Sequence, residues 1–112
     1  MNQTIEVLLS EAVGENIQEI GFETDALLIY DKVTRKQKYV LNSMREIAGV
    51  RIVTVVSPTE DRGENQVVGI RIKYTPAKEQ AVLSYNTFLK RSILSTKGVV
   101  QVRFLSTTKI KL

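Results

Sequence analysis

Three groups of residues have the types and spacing to do chemistry. Glu60, Asp61 and Glu64 lie close together in "TEDRGENQ", and neighbouring carboxylates can hold a hard cation such as Mg²⁺ or Ca²⁺ through oxygen. Their order lacks the alternating acids and central glycine of a calcium loop, so the stretch reads as a solvated polar turn. Lys32, Arg35, Lys36 and Lys38 crowd "DKVTRKQK", at the expected start of a helix, where cations oppose the helix dipole. That cluster suits the phosphates of a nucleic-acid backbone, which lysine and arginine neutralise and helix N–H groups receive. Arg71, Lys73 and Arg103, the third group, alternate with apolar residues in segments rich in Val and Ile.

Much other chemistry is excluded. The chain has no histidine and no cysteine, which removes Ser-His-Asp and Cys-His catalysis, histidine or thiolate metal sites, and disulfides. Neither G-x-x-x-x-G-K nor G-x-G-x-x-G occurs among the six glycines, so no phosphate-binding glycine loop is expected. The expectation is a non-enzyme with no catalytic residue, no metal, no cofactor and no small-molecule ligand.

The elements that would position these residues come from an internal repeat. "GVRIVTVVS" (49–57) and "GVVQVRFLS" (98–106) align Gly49 with Gly98, Val50 with Val99, Val53 with Val102 and Ser57 with Ser106. Upstream, "LLIYD" (27–31) and "RIKYT" (71–75) each end in tyrosine followed by a residue suited to cap a helix, Asp31 or Thr75. Helical spacing follows each, through Val33, Val40, Met44 and Ile47 in one half and Val82, Tyr85, Leu89 and Ile93 in the other. Gly49 and Gly98 then end the helices. Each half reads strand, helix, strand, and "SPTEDRGENQ" (57–66) joins them as a turn. Two such units in series give an α+β, ferredoxin-like β-α-β-β-α-β antiparallel sheet with two helices on one face and strands one and three central.

Strand alternation assigns the faces. Ala26, Leu28, Tyr30, Ile70, Ile72 and Tyr74 are expected toward the helices, joined by Val53, Val55, Val102 and Phe104. Leu27, Ile29, Arg71 and Lys73 then point away, with Val50, Ile52, Val56, Val99, Arg103 and Leu105. A water-facing sheet alternates to polar residues, and this face does so only in part, so a cover is expected. Two are available: the chain's own residues 3–13, where Ile5, Leu8, Leu9 and Ala12 recur at helical spacing, or a protein partner, including a second copy. The interface set is Leu27, Ile29, Ile52, Arg71, Lys73, Val99, Arg103 and Leu105. None of the central outward positions Leu27, Ile29, Arg71 and Lys73 is aromatic. Single-strand RNA stacking on the sheet is therefore disfavoured, and a nucleic-acid alternative rests on Lys32, Arg35, Lys36 and Lys38.

Charge divides the chain in the same place. Residues 1–30 hold six acids and no lysine or arginine, while residues 31–112 hold all sixteen bases and the other six acids. The organisation reads as an acidic N-terminal arm (1–20), a ferredoxin-like domain (21–106) and a basic C-terminal tail (107–112), in all one domain of 112 residues. No apolar run is long enough to span a bilayer and the opening residues lack a secretory signal pattern. A cytoplasmic protein without a membrane partner is expected.

The succession "MREIAGVRIVTVVS", polar turn, "VVGIRIKYTP", helix and "KGVVQVRFLS", with the opening "VLLSEAVGE", resembles small ferredoxin-like proteins of contractile-tailed marine phages. That resemblance implies a phage origin, a host-cytoplasm or virion location and an assembly role. It implies no catalytic residues.

Overall fold

The fold is that of a computed structural model that describes residues 20–76 and 82–111. Strand β1 (Ile20–Asp31) leads through a turn to helix α1 (Gln37–Arg45), and β2 (Val50–Val55) follows. A short β3 (Glu60–Arg62) and β4 (Asn65–Tyr74) form a hairpin, after which come α2 (Val82–Leu94) and β5 (Val99–Lys111). The result is an α+β protein with a five-stranded, wholly antiparallel sheet in the order β2-β4-β1-β5, β3 extending the far end of β4.

This order departs from the one expected. Five strands replace four, and the central pair is the first and fourth, because Glu60–Arg62, placed in a turn, pairs back on Asn65–Val67. The pairing is short and every β3 side chain is exposed, so no apolar alternation marked it. At the other end, Thr107–Lys111 is not a tail but continues β5 opposite Ile20–Thr24. The expected helix over 3–13 and the second helix's start after Thr75 lie outside the described residues.

The repeat survives as repeated backbone bonds. Asp31 N–H donates to Gly98 O at 2.8 Å and Thr75 N–H to Gly49 O at 2.9 Å, so each half's capping position is tied to the other half's glycine. Below the helices, Val50 N–H bonds Ile47 O at 3.0 Å and Val99 N–H bonds Thr96 O at 3.1 Å. Gly49 and Gly98 both have positive φ, 92° and 93°, where a side chain is strained. A Cβ on Gly49 would also lie 2.7 Å from the Tyr85 hydroxyl, and one on Gly98 2.9 Å from Arg35 Cβ.

One face of the sheet carries the core. Ala26, Leu28 and Tyr30 of β1 and Val68, Ile70, Ile72 and Tyr74 of β4 are buried with Val40, Leu41 and Met44 of α1 and Tyr85, Leu89 and Ile93 of α2. Both helices therefore cover the same side. Tyr85 donates to Ala48 O at 2.7 Å and stacks on Tyr74 at 4.8 Å; burial, then the neighbouring Tyr74, pushes its phenol up to about 12. Its hydroxyl thus remains a donor across the working pH range.

Candidate interaction site

The outer face of the sheet is built by the alternate residues of β1 and β4. Glu23, Asp25, Leu27 and Ile29 sit across from Lys73, Arg71, Gly69 and Val67 in turn. On the β5 side, Ile29 faces Gln101 and Leu27 faces Arg103. Among the described residues no helix lies over this face, since both helices pack on the other.

Its two ends differ in chemistry. Toward the start of β1, the Arg71 guanidinium grips Asp25 with two bonds, 2.8 and 3.2 Å, and comes within 3.3 Å of Glu23. The side-chain hydrogen bond from Arg71 holds the Asp25 carboxyl below the usual carboxylate range, and the same pair raises Arg71. Toward the end of β1, Leu27, Ile29 and Val67 floor a shallow depression of about 230 Å³ walled by Arg62, Gln101 and Arg103. Val67 is buried at 7% exposure. Lys73 and Arg103 have no carboxylate partner among the described residues, and Arg62 has only Glu60, at 3.6 Å. The arrangement offers an apolar side chain a floor and a carboxylate two arginines.

Gly69 marks the boundary between the ends. Its N–H donates to Ser57 Oγ at 2.9 Å, its carbonyl takes N–H bonds from Val56 and Ser57, and a Cβ there would fall 2.3 Å from Ser57 Oγ. The end of β2 thus folds over β4 where a side chain is missing.

Of the expected interface set, Leu27, Ile29, Arg71 and Lys73 share the outer face. Ile52, opposite Lys73, is exposed, and Arg103 lies beside Leu27. Val99 is a correction. A bulge between Ile29 and Tyr30 inserts Val100 and turns Val99 to the core side, opposite Tyr30. Val50 moves inward likewise, opposite Tyr74, through a bulge before Ile52, while Val55, expected in the core, is exposed at the sheet edge. Leu105 is exposed at a second β5 bulge. Arg71 is corrected in role, because its charge is already met by Asp25 and Glu23. Val67 and Gln101 were legible by extending the strand alternation; Arg62 was not, since it sits on the unforeseen β3.

The basic cluster is dispersed. Asp31 caps a turn, accepting from Val33 N–H at 2.9 Å, Thr34 N–H at 3.2 Å and the Thr34 hydroxyl at 3.0 Å. The Thr34 hydroxyl first, then the two amides, lowers the Asp31 carboxyl. Helix α1 therefore starts only at Gln37, and Val33 is left 72% exposed. Lys32 forms an ion pair with Asp61, whose carboxyl it lowers. Arg35 donates to Lys97 O at 3.3 Å, Lys36 is the N-cap residue of α1, and Lys38 lies over the Tyr39 ring at 5.2 Å. Glu60 and Asp61 are engaged with Arg62 and Lys32. Among the described residues no three acids come together as a metal site, and no helix is long and apolar enough to cross a membrane.

The sequence matches no family model and is not significantly similar to any curated protein.

Proposed function

We propose that the protein is a non-enzymatic protein–protein interaction module. It docks a partner segment that combines apolar side chains with carboxylates on the outer face of β1 and β4. The observation that carries this reading is the Leu27–Ile29–Val67 floor. Apolar groups at the middle of a sheet are stabilised by being covered, and arginines at the rim favour and orient an acidic partner. As to fold, the crossed bonds from Asp31 to Gly98 and Thr75 to Gly49 support a ferredoxin-like arrangement of two interleaved halves, elaborated by the β3 arm. The phage resemblance supplies an assembly setting in a virion or host cytoplasm, which the neighbouring genes of the coding sequence test.

The test uses a synthetic glutamate- and leucine-containing amphipathic peptide as probe, titrated into the ¹⁵N-labelled full chain. Saturable shifts at Leu27, Ile29, Val67, Gln101 and Arg103 are expected, weakening with salt and lost in Leu27→Ser/Ile29→Ser with the helical circular dichroism signal intact. Shifts scattered over α1 and α2 would overturn the reading. Fluorescence anisotropy with DNA and RNA across a salt series separates the nucleic-acid alternative. Steep salt-dependent binding lost on replacing Lys32, Arg35, Lys36 and Lys38 by Gln would favour it. The engagement of Lys32 by Asp61 and of Arg35 by Lys97 O speaks against it.

A further inference from the structure

We propose that the free edge of β2 pairs with β2 of a second copy, antiparallel about a two-fold axis, and that Arg45 guards this edge in the single chain. The inference uses a part of the sheet that the docking reading leaves aside.

An edge strand presents unpaired backbone groups that another strand can complete. β2 is bonded to β4 on one side and, among the described residues, has no neighbouring strand on the other. Val56 N–H donates to Gly69 O at 2.8 Å, and in the same register Thr54 lies opposite Arg71. Antiparallel ladders alternate, so Thr54 and Val56 turn their backbone groups to β4, while Val53 and Val55 turn theirs to the free edge. The opposite edge of the sheet is protected. β5 has two bulges and carries Arg103, Lys109 and Lys111, devices that keep an edge from pairing. Residues 52–56 carry no charge, and Ile52, Val55 and Val56 are 47%, 41% and 47% exposed.

The occupant follows from the order of these residues. With the two-fold axis at Thr54, Val53 meets Val55 of the second copy, Ile52 meets Val56, and Thr54 meets its own counterpart. Every exposed apolar residue of the strand then lies opposite an apolar one and no like charges are opposed, the condition for favourable cross-strand pairs. Moving the axis to Val53 sets Arg51 against Val55, and moving it to Val55 sets Pro58 against Ile52.

Arg45, the last residue of α1, sets the strength. Its guanidinium donates to Val53 O at 2.8 Å and to Asn42 Oδ1 at 2.8 Å. Val53 O is the carbonyl that a second strand uses, so pairing competes with an arginine in each copy. The strand contact alone is small beside the roughly 800 Å² per partner of a standard interface. Pairing is therefore weak and concentration-dependent. Because Arg45 and Arg51 of both copies approach one another, it strengthens with salt, opposite to the acidic peptide on the outer face.

Sedimentation equilibrium of the full chain, in a concentration series reaching about 1 mM, tests the proposal. The weight-average mass should rise from one chain toward two. Arg45→Ala should tighten association roughly tenfold, since two arginine–carbonyl bonds no longer oppose each pairing. Ile52→Lys/Val56→Lys sets like charges opposite each other and should abolish it with the circular dichroism signal unchanged. Ile52→Glu/Val56→Lys, in which opposite charges face, should restore it. The chain has no cysteine, so Thr54→Cys supplies a single thiol on the axis, where the roughly 4.5 Å Cα separation of a non-hydrogen-bonded pair is within disulfide reach. Oxidised glutathione should cross-link it faster than Leu105→Cys, an exposed position on β5. Pairing seen only in Arg45→Ala, and lost again when Ile52→Lys/Val56→Lys is added, sustains the proposal as a guarded edge. A mass of one chain throughout, in both the parent and Arg45→Ala, overturns it. So does association that survives Ile52→Lys/Val56→Lys, which would assign the contact to another surface. Failure of Ile52→Glu/Val56→Lys to restore pairing, or equal cross-linking of the two cysteine variants, overturns the two-fold register.

Discussion

On the outer face of β1, Glu23 and Asp25 meet their counter-charge in Arg71 of the adjacent strand. A few residues further on, Leu27 and Ile29 meet Val67, with Arg62 and Arg103 standing at the rim. The two ends share a strand pair, a face and a geometry, yet at one the carboxylates Glu23 and Asp25 are paired within the sheet, while at the other Arg103 has no carboxylate partner among the described residues. Cross-strand pairs stabilise a sheet locally, so the ion-paired end contributes to folding without a partner. Leu27 and Ile29 are only half-buried, so covering them would add burial energy that the isolated sheet does not realise. The difference teaches where to look for binding: at the end whose charges have not been used.

The largest test of that contrast uses the adjacent leucines of β1. Leu28 is fully buried, and Leu28→Ala should cost about 2–5 kcal/mol in urea denaturation. Leu27→Ala, on the outer floor, should cost less than about 1 kcal/mol in the isolated protein. Equal costs would mean that the floor is already packed as a core. Gly69→Ala, at the boundary between the ends, follows. Its methyl would overlap the short Ser57 side chain, which the backbone must move to relieve, at about 1–3 kcal/mol by the same measurement.

A smaller effect separates the ends by pH. The Asp25 carboxyl is held low in the folded state, so its contribution is present above the ordinary aspartate value of about 3.9 and disappears as pH falls through the folded value. Asp25→Asn should therefore melt below the parent at neutral pH, and the two melting temperatures should converge as the pH falls through the lowered folded-state value of Asp25. Smallest of all is a pair of arginine replacements. Arg71→Gln, which strands Asp25 and Glu23, should lower the melting temperature most at low salt. Arg103→Gln should stay within about 0.5 kcal/mol of the parent while weakening peptide binding.

Much of the framework was legible in the residues. The Gly-Val repeats and the Tyr-Asp and Tyr-Thr junctions announced two like halves, and the junctions proved to be where the halves bond to one another. Alternation on β1 and β4 sorted their faces because both strands run without a bulge against each other. It failed on β5 and β2, where bulges shift the register: an inserted residue reverses the side of everything before it, and nothing in the order of Val, Gln and Arg marks the insertion. The start of α1 was misplaced for a related reason. Asp31 has the same side-chain oxygen whether it caps a helix or an Asx turn, and the docking of Lys32 on the β3–β4 hairpin, through Glu64 O and Asp61, accompanies the turn.

By itself, the sequence determined the local periodicities, the two glycines that reverse the chain below the helices, and the separation of acidic from basic residues, because these depend on neighbours within a few positions. Tertiary structure alone decided that Arg71 is neutralised, that Val99 is inside, and that Arg62 and Arg103 flank one apolar floor. Those outcomes depend on which residues of distant strands come opposite one another, and that register is set by bulges and by the packing of the whole sheet.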